Sequence, residues 1–504
     1  MNSITDIRSK SDAPESAAER RRRRPIVIPG RNAWKTEQAD HFAFLVDGAP
    51  YFDFLDRALH LARRSIWIVG WDFSGDICLG PAGEGRATLG ETLRRLVDER
   101  PDLHVRILVW AMGPIYSSRS LKLFLKEGWA AHPRIHIRFD ARHPLRGAHH
   151  QKMVAIDDSL AFVGGIDLTA GRWDDCSHAA ELPGRKTPRG NPYGPVHDVQ
   201  VAMSGAAALG VADLIRRRWR RASGEEIAPD PQPGTLWPEG ARAEMRGCKV
   251  AIARTEPEIF ARKGKREAIR LTQDALKAAR KCIYVEAQYL AAFGIARTLM
   301  RRLREPHGPE IVAVVTCSSH GWIEQFVMGH NRNRLVRRLM SADRHGRLRV
   351  VYPVVPSAKG GNCEVLIHAK VIVVDDRFVR VGSSNLNNRS EGLDTECDVA
   401  VEARTEDEAR AIKAFRDGLL AEHLDVPVSA VAEAVERTGS FVAALDSLNT
   451  RPRGLKAFPL SPQNGKADSI MGTSLFDPRK PFRPFLRARE GLAVLGTKLL
   501  GAFF

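Results

Sequence analysis

Helical and strand-like hydrophobic patterns alternate along the first half of the chain. Apolar residues recur at helical spacing over 51–64, 119–128 and 205–221. The stretch KMVAIDDSLAFVGG at 152–165 predicts a β-hairpin that turns at two adjacent aspartates. Three further β-rich runs predict strands, and they are SIWIVGWDF at 65–73, VRILVW at 105–110 and IHIRFD at 135–140.

The pattern restarts after a polar stretch at 224–240 that is rich in proline and glycine, which is the best candidate for an internal linker. A helical pattern at 265–281 comes first in the second half. Strand-like runs follow, and they are CIYVEAQYL at 282–290, EIVAVVT at 310–316, RLRVVYPV at 347–354 and the predicted hairpin KVIVVDDRFVRVGSSN at 370–385. The predicted elements therefore occur in the same order in both halves.

The two halves repeat at a nearly constant spacing. Ile66 and Ile283, which lie in corresponding strands, are 217 residues apart, and His150 and His368 are 218 residues apart. A solenoid repeats every ~20–50 residues, so this much longer period indicates an internal duplication. We predict an α/β protein of two similar lobes, each a mixed β-sheet flanked by helices. The lobes are expected to pack about a pseudo-twofold axis and to share one active site.

Five segments are predicted. They are a disordered basic N-terminal tail (1–30), a first lobe (31–223), the linker (224–240), a second lobe (241–425) and a C-terminal extension (426–504). We expect the arginine run Arg20–Arg24 to be solvated, with binding to anionic lipid or nucleic acid as the alternative. The extension is predicted to be irregular over 449–482. Its last twenty residues have a helical pattern, for which packing on the core or disorder is favoured over a membrane-surface helix.

The composition is typical of a globular protein with a strong basic excess. Of 504 residues, 43% are hydrophobic and 27% are charged, and the formal net charge is +17 with a pI of about 9.8. This balance favours an anionic partner, such as a phospholipid surface, a nucleic acid or a polyphosphate.

The sequence predicts neither classical export nor membrane insertion. Residues 1–24 lack the apolar core of a secretory signal, and no stretch reaches the ~18–20 apolar residues that span a bilayer. The seven scattered cysteines have no spacing typical of a zinc or redox motif, which favours reduced thiols. We expect a cytoplasmic protein with peripheral membrane attachment, while secretion by a signal-independent route stays open.

Two matching motifs carry the chemical argument. Both read H-x-K-x4-D, and after a gap of six residues both continue as G-[GS]-x-[DN]. One such match in about 500 residues has a chance probability of a few per cent, and two at equivalent places of a repeat argue against accident. The motif residues are His150, Lys152 and Asp157 in the first half, and His368, Lys370 and Asp375 in the second. The candidate phosphate- or substrate-binding residues are Gly165, Asp167, Ser383 and Asn385.

The spacing within each motif has a chemical reason. In a strand, residues i and i+2 point to the same side, so each motif histidine projects together with its lysine. If both pairs converge, the two lysines neutralise the non-bridging oxygens of a phosphodiester and stabilise a five-coordinate phosphorus. One neutral imidazole attacks phosphorus while the other, protonated, gives its proton to the leaving alkoxide. Since the lysines fill the electrostatic role, no metal and no cofactor is predicted for this chemistry.

Carboxylates are expected to support both histidines. An imidazole needs a partner that fixes its tautomer, and Asp198 and Glu396 follow the motif histidine of their own half by 48 and 28 residues. We assign them as the orienting carboxylates. Asp157 and Asp375 belong to the motifs but lie at an odd offset from the lysines, so they point away from the pocket. They are interpreted as scaffold groups rather than proton carriers.

At these residues the chain resembles the phospholipase D superfamily, whose mark is the paired H-K-D motif. The stretches GGIDLTAGRWDD (164–175) and GSSNLNNRS (382–390) look like the motif continuations of true phospholipases D. The stretch VEAQYL (285–290) is similar to the E-N-Q-Y-F stretch of that group, with two substitutions. The resemblance covers about residues 34 to 425 and is closest to phospholipase D and cardiolipin synthase-like proteins.

The resemblance implies hydrolysis of the distal phosphodiester bond of glycerophospholipids, with transfer to an alcohol as a companion reaction. It implies a phosphohistidine intermediate, with His150 as the nucleophile and His368 as the acid. Asn385 matches a position that helps to hold phosphate, whereas Asp167, at the equivalent place, cannot donate an amide hydrogen bond. The implied partner is a phospholipid at a membrane surface. Because one chain holds both motifs, a functional monomer is expected.

Three alternatives stay open from the sequence. A cardiolipin or phosphatidylserine synthase would use the same site with a different acceptor. A nuclease would suit the net charge of +17. A binding protein on an inactive scaffold is disfavoured, because both His-Lys pairs are intact.

Overall fold

The computed structural model describes residues 24–83, 85–111, 128–144, 146–230, 234–259, 263–318 and 322–460. Five predictions lie wholly or mostly outside these residues: the disordered tail up to residue 23, the arginine run except Arg24, the helix at 119–128 except its last residue, the irregular segment beyond residue 460 and the C-terminal helical pattern at 485–504. The tail was predicted to be disordered as far as residue 30, which was wrong for its end: Ile26 is buried, and its N–H donates to Glu402 Oε2 at 2.8 Å.

Helices and strands alternate through both halves. The α-helices in the described residues are α1 (Gly48–Leu59), α2 (Leu89–Glu99), α3 (Ala206–Ser223), α4 (Glu267–Ala278), α5 (Phe293–Arg304), α6 (Trp322–Ala342), α7 (Glu406–Leu424), α8 (Val428–Thr438) and α9 (Phe441–Leu448). The strands of the first half are β1 (Lys35–Val46), β2 (Ser65–Gly70), β3 (His104–Trp110), β4 (Ile135–Asp140), β5 (Met153–Ile156), β6 (Leu160–Gly164), β7 (Val196–His197) and β8 (Val199–Ser204). Those that follow are β9 (Met245–Glu256), β10 (Lys265–Arg266), β11 (Cys282–Ala287), β12 (Glu310–Val315), β13 (Leu348–Pro356), β14 (Asn362–Glu364), β15 (Leu366–Ile367), β16 (Lys370–Val374), β17 (Phe378–Gly382), β18 (Glu396–Glu402) and β19 (Gly454–Ala457).

Most of the strands join one large mixed sheet whose order repeats. Hydrogen-bonded neighbours run β4-β3-β2-β5-β6-β8-β1 in the first half and β13-β12-β11-β16-β17-β18-β9 in the second. The first three strands of each series are parallel and the others are antiparallel. β1 pairs with β9 and connects the series. The predicted α/β class, a mixed sheet flanked by helices, is confirmed, and the repeated order agrees with the interpretation of an internal duplication.

Apolar runs explain why the central strands form. Every residue of β11, and every residue of β2 after Ser65, is buried, as expected for strands that helices cover on both faces. α1 buries Tyr51, Leu55 and Leu59, which recur every four residues along one face. Both predicted hairpins are present as β5–β6 and β16–β17.

The C-terminal extension contains regular structure where an irregular segment was predicted. α8 and α9 follow α7 directly, and β19 pairs antiparallel with β13. The prediction was wrong for 454–457, because four residues are too few to show a period and the partner strand lies about a hundred residues away. None of the helices in the described part of the chain is long and apolar enough to span a bilayer.

Candidate active site

Backbone pairing between the halves brings the two motifs together. β7 of the first half pairs in parallel with β15 of the second, and His368 N–H donates to the carbonyl oxygen of His197 at 2.8 Å. On the other side, His150 N–H donates to the carbonyl oxygen of Thr395 at 3.0 Å. Each motif histidine therefore lies beside a segment of the opposite half. The residue that His368 contacts directly precedes Asp198, and the residue that His150 contacts directly precedes Glu396.

This pairing exchanges the carboxylates between the halves. His150 Nδ1 lies 3.0 Å from Glu396 Oε2, and His368 Nδ1 lies 2.6 Å from Asp198 Oδ2. Asp198 and Glu396 therefore do lie beside the motif histidines, in agreement with their assignment, but each contacts the histidine of the other half and not that of its own. The reason is topological. β8 and β18 begin next to the motif of the other half, so Asp198, directly before β8, and Glu396, the first residue of β18, reach the histidine of the other half.

The tautomer of His150 is fixed by its surroundings. Nδ1 also lies 3.0 Å from the carbonyl oxygen of Ser383, which can only accept a hydrogen bond. Nδ1 must therefore carry a hydrogen, and Nε2 of the neutral ring has a free lone pair. Glu396 in turn accepts hydrogen bonds from the hydroxyls of Ser383 and Ser390, both at 2.6 Å. Burial raises the pKa of Glu396 to about 7.

Both motif lysines are buried beside their histidines. Lys152 Nζ donates to the carbonyl oxygen of His150 at 3.1 Å and lies 3.2 Å from Asp167 Oδ2. Lys370 Nζ donates to the carbonyl oxygen of His368 and lies 3.2 Å from Nδ1 of the same ring. Burial is the main cause that lowers the pKa of Lys370 to about 7, and the charge of Lys152 adds to it.

Charges from both halves act on each motif histidine. Burial, followed by the charges of Lys152 and Lys370, lowers the pKa of His150 well below its usual value. Burial, Lys370 and Arg172, with smaller effects from Lys152 and His150, lower the pKa of His368 in the same way. Charges of one half thus act on the histidine of the other. In the free protein both imidazoles are neutral near pH 7.

The candidate substrate-binding residues differ in their contacts. Asn385 is 9% exposed, and its Oδ1 has no hydrogen-bond partner among the described residues. Asp167 accepts a hydrogen bond from the backbone of Trp71 at 2.9 Å in addition to its ion pair with Lys152. A Cβ at Gly165 would lie 2.0 Å from Asp198 Oδ1, so glycine is required there for close packing. The contacts of Gly165, Asp167 and Ser383 are thus within the protein, and Asn385 alone has an unused polar atom.

The motif aspartates hold the scaffold, in agreement with their interpretation. Asp157 accepts hydrogen bonds of 2.6–2.8 Å from the backbone N–H groups of residues 63–65. Asp375 does the same for residues 280–282 at 2.7–3.2 Å. Each carboxylate fixes the chain entering β2 or β11, the strands that support the two motifs.

Several supporting residues were missed in the sequence. Arg172 contributes to the low pKa of His368, and its position in the quoted GRWDD stretch was the available signal. Arg218 donates to Gln151 Oε1 and to Asp140 Oδ2, both at 3.0 Å, and Gln151 Nε2 donates to the carbonyl oxygen of Glu396 at 3.1 Å. An arginine within a helical pattern gives no such signal.

Within the described part of the chain, two groups of side chains could hold a metal ion. In each, one ligand atom per residue lies within 4.8 Å of the others. The groups are Asp47, His178, His197 and Glu422, and His197, Glu286 and His423. Neither group includes a motif histidine or lysine.

Comparison with known proteins agrees with the motifs. Residues 273–417 match the family described as "Cardiolipin synthase, PLD-like domain". Phospholipase D A of Dictyostelium discoideum is 24% identical over 424 residues, which cover 70% of this chain and 32% of that protein. Phospholipase D alpha 4 of Arabidopsis thaliana is 23% identical over 513 residues, which cover 79% and 65%. The chain therefore spans less than two thirds of the length of these relatives.

A solved structure shares the fold. Phosphatidylserine synthase from Haemophilus influenzae Rd KW20 aligns with a TM-score of 0.53 and 14% identity, covering 80% of this chain and 94% of that one. Taken together, the two H-x-K motifs, the PLD-like domain at residues 273–417 and the similar phospholipases D show that the chain resembles the phospholipase D superfamily.

Proposed function

We propose that the protein is a phospholipase D, which hydrolyses glycerophospholipids to phosphatidic acid and a free headgroup. The convergence of two His-Lys pairs, each histidine held by an acid of the opposite half, carries the proposal. The names of the similar Dictyostelium and Arabidopsis proteins support the lipid substrate. We further propose that the protein acts as a cytoplasmic enzyme at a membrane surface.

The first step forms a bond between phosphorus and His150 Nε2. The lone pair of Nε2 attacks phosphorus, the bond to the headgroup oxygen breaks, and the proton of His368 Nε2 moves to that oxygen. The positive charge that develops on the ring of His150 is stabilised by Glu396 through Nδ1–H. Lys152 and Lys370 stabilise the negative charge on the phosphoryl oxygens.

The second step releases phosphatidic acid. Water attacks the phosphohistidine, His368, now neutral, takes its proton, and the phosphorus–nitrogen bond breaks. His150 returns to its neutral form and His368 to its protonated form. His368 gives up this proton when phosphatidic acid leaves and takes up another when the next substrate binds. A primary alcohol in place of water would yield a phosphatidyl alcohol by the same transfers.

Proton uptake is expected to accompany substrate binding. In the free site His368 is neutral, because burial and the nearby cations disfavour its charged form. A bound phosphodiester monoanion supplies the opposite charge and raises the pKa of His368. The acid of the first step is thus formed when the substrate arrives.

A phosphatidyltransferase is the second candidate, because the matching family is described as a cardiolipin synthase, PLD-like domain. Purified protein with phosphatidylcholine vesicles and ethanol is expected to release choline and to form phosphatidylethanol. Parallel reactions contain serine, phosphatidylglycerol or single-stranded DNA. Product formation only with serine or phosphatidylglycerol would favour the transferase, and cleavage of DNA without lipid turnover would favour a nuclease. The His150→Asn variant controls for contaminating activity.

A further inference from the structure

A buried cluster of histidines and carboxylates lies next to Asp198, outside the reacting centre. Asp47 follows β1, His178 lies between β6 and β7, His197 ends β7, and Glu422 belongs to α7. The first three side chains are at most 1% exposed and that of Glu422 is 14% exposed. A ligand atom from each lies within 4.8 Å of those of the other three.

Four contacts in this cluster are close to the separation of ligand atoms around a tetrahedral ion. Glu422 Oε1 lies 3.0 Å from His178 Nε2 and 3.0 Å from His197 Nδ1. Asp47 Oδ1 lies 3.0 Å from His197 Nδ1, and Asp47 Oδ2 lies 3.5 Å from His178 Nε2. Ligand atoms about 2.0–2.1 Å from a tetrahedral zinc ion are separated from each other by about 3.3 Å. Two imidazoles and two carboxylates are ligands that zinc accepts.

The outer ring nitrogens are held by further carboxylates. His178 Nδ1 lies 3.0 Å from Asp174 Oδ2, and His197 Nε2 lies 2.9 Å from Glu286 Oε2. Asp174 is itself paired with Arg185 at 2.9 Å. A carboxylate on the outer nitrogen of a metal-binding histidine orients the ring and leaves the inner lone pair for the ion. Both histidines of the cluster have this arrangement.

The buried carboxylate of Asp47 also points to a ligand. Both oxygens of Asp47 and the Nδ1 atom of His197 are buried without a hydrogen-bond partner, although they lie within ion-pair distance. A buried carboxylate without a donor is costly. Protonated imidazoles are the metal-free alternative, and the neighbouring carboxylates raise the pKa of His178 to about 9 despite its burial. That alternative balances charge, but the contacts of Asp47 with the two rings lack good hydrogen-bond geometry.

We infer that Asp47, His178, His197 and Glu422 bind one divalent zinc-type ion. The ion ties α7 of the second half to the first half. It also fixes the segment that holds Asp198, because His197 precedes Asp198 and Asp47 N–H donates to the carbonyl oxygen of Asp198 at 2.7 Å. The ion does not touch the substrate, so the lysine-based chemistry at phosphorus is unchanged. The role of the ion is structural and it positions a catalytic partner.

Elemental analysis of protein without a histidine tag tests the site. About one zinc per chain is expected in the wild type and in His345→Gln, a control at an exposed histidine. His178→Gln and Glu422→Gln should contain less than about a tenth of the zinc of the wild type and should unfold at a lower temperature. Calcium or no metal in the wild type, or full zinc in both cluster variants, would overturn the inference.

A second measurement does not depend on how the variants fold. Wild-type protein stripped with a strong chelator is titrated with Co²⁺ and then with Zn²⁺. We expect the visible absorption of tetrahedral Co²⁺ and its loss on zinc addition, because the two ions compete for one site. No spectral change with a folded stripped protein would refute the site. Since lipid turnover is not measured, failure here leaves the proposed function to its own test.

Discussion

Replacement of Glu396 by glutamine tests the step in which His150 becomes positively charged. Glu396 is fully buried, and its carboxylate lies 3.0 Å from His150 Nδ1. Glutamine keeps the shape and can still accept one hydrogen bond, but it removes the negative charge. With an effective dielectric constant of ~20, two unit charges at this distance interact by about 5 kcal/mol. A loss of that size lowers kcat by roughly 10³–10⁴-fold.

The fold is expected to survive this change. Because burial raises the pKa of Glu396 to about 7, the folded protein at neutral pH already accommodates the uncharged side chain. The hydroxyls of Ser383 and Ser390 can rotate to pair with the amide. Glu433→Gln, at an exposed position of α8, is a matched control and should behave as wild type.

The assay is steady-state hydrolysis of a short-chain phosphatidylcholine, with thermal unfolding measured on the same samples. We expect a large fall in kcat, a KM within a few-fold of wild type and an unfolding temperature close to that of the control. Turnover of Glu396→Gln within tenfold of wild type would refute the reasoning, because the charge on His150 would then not depend on Glu396.

Three further predictions use the same structure. With bis(p-nitrophenyl) phosphate as substrate, the turnover of His150→Asn should fall by at least ~10³-fold. His368→Asn should still release a burst of nitrophenol, because this leaving group needs no acid. The absence of a burst would contradict the assignment of His150 as the nucleophile and His368 as the acid. Asp157→Asn should destabilise the fold by about 2–4 kcal/mol in urea unfolding, because three backbone donors lose their charged acceptor, with kcat little changed. The folded-state pKa of Glu396 is raised from 4.5 to about 7, so its contribution to stability is full below the lower value and is lost as pH rises through the higher one. The unfolding temperature of wild type should therefore fall relative to that of Glu396→Gln between about pH 5 and 7.5, and parallel curves would contradict this.

Much of the fold could be predicted because the signals are local. The apolar runs of β2 and β11 and the hairpins at Asp157 and Asp375 follow from period and turn residues within each segment. The convergence of the motifs followed from the repeat, because two equivalent strands in similar lobes present equivalent side chains.

The partners of the histidines could not be predicted in the same way. Which acid reaches which histidine depends on β7 pairing with β15, strands of two residues each whose pairing has no periodic signal. The cluster around His178 and His197 could not be predicted either. Its members are separated by up to 375 residues, and none of them belongs to a recognisable motif in its own segment.

The exchange of carboxylates makes catalysis an all-or-none property of the whole chain. If either half opens, the surviving histidine loses its acid at the same moment as it loses the other imidazole. In the proposed reaction, a chain that opens before it meets a substrate is therefore expected to be inactive in the first transfer as well as in the second.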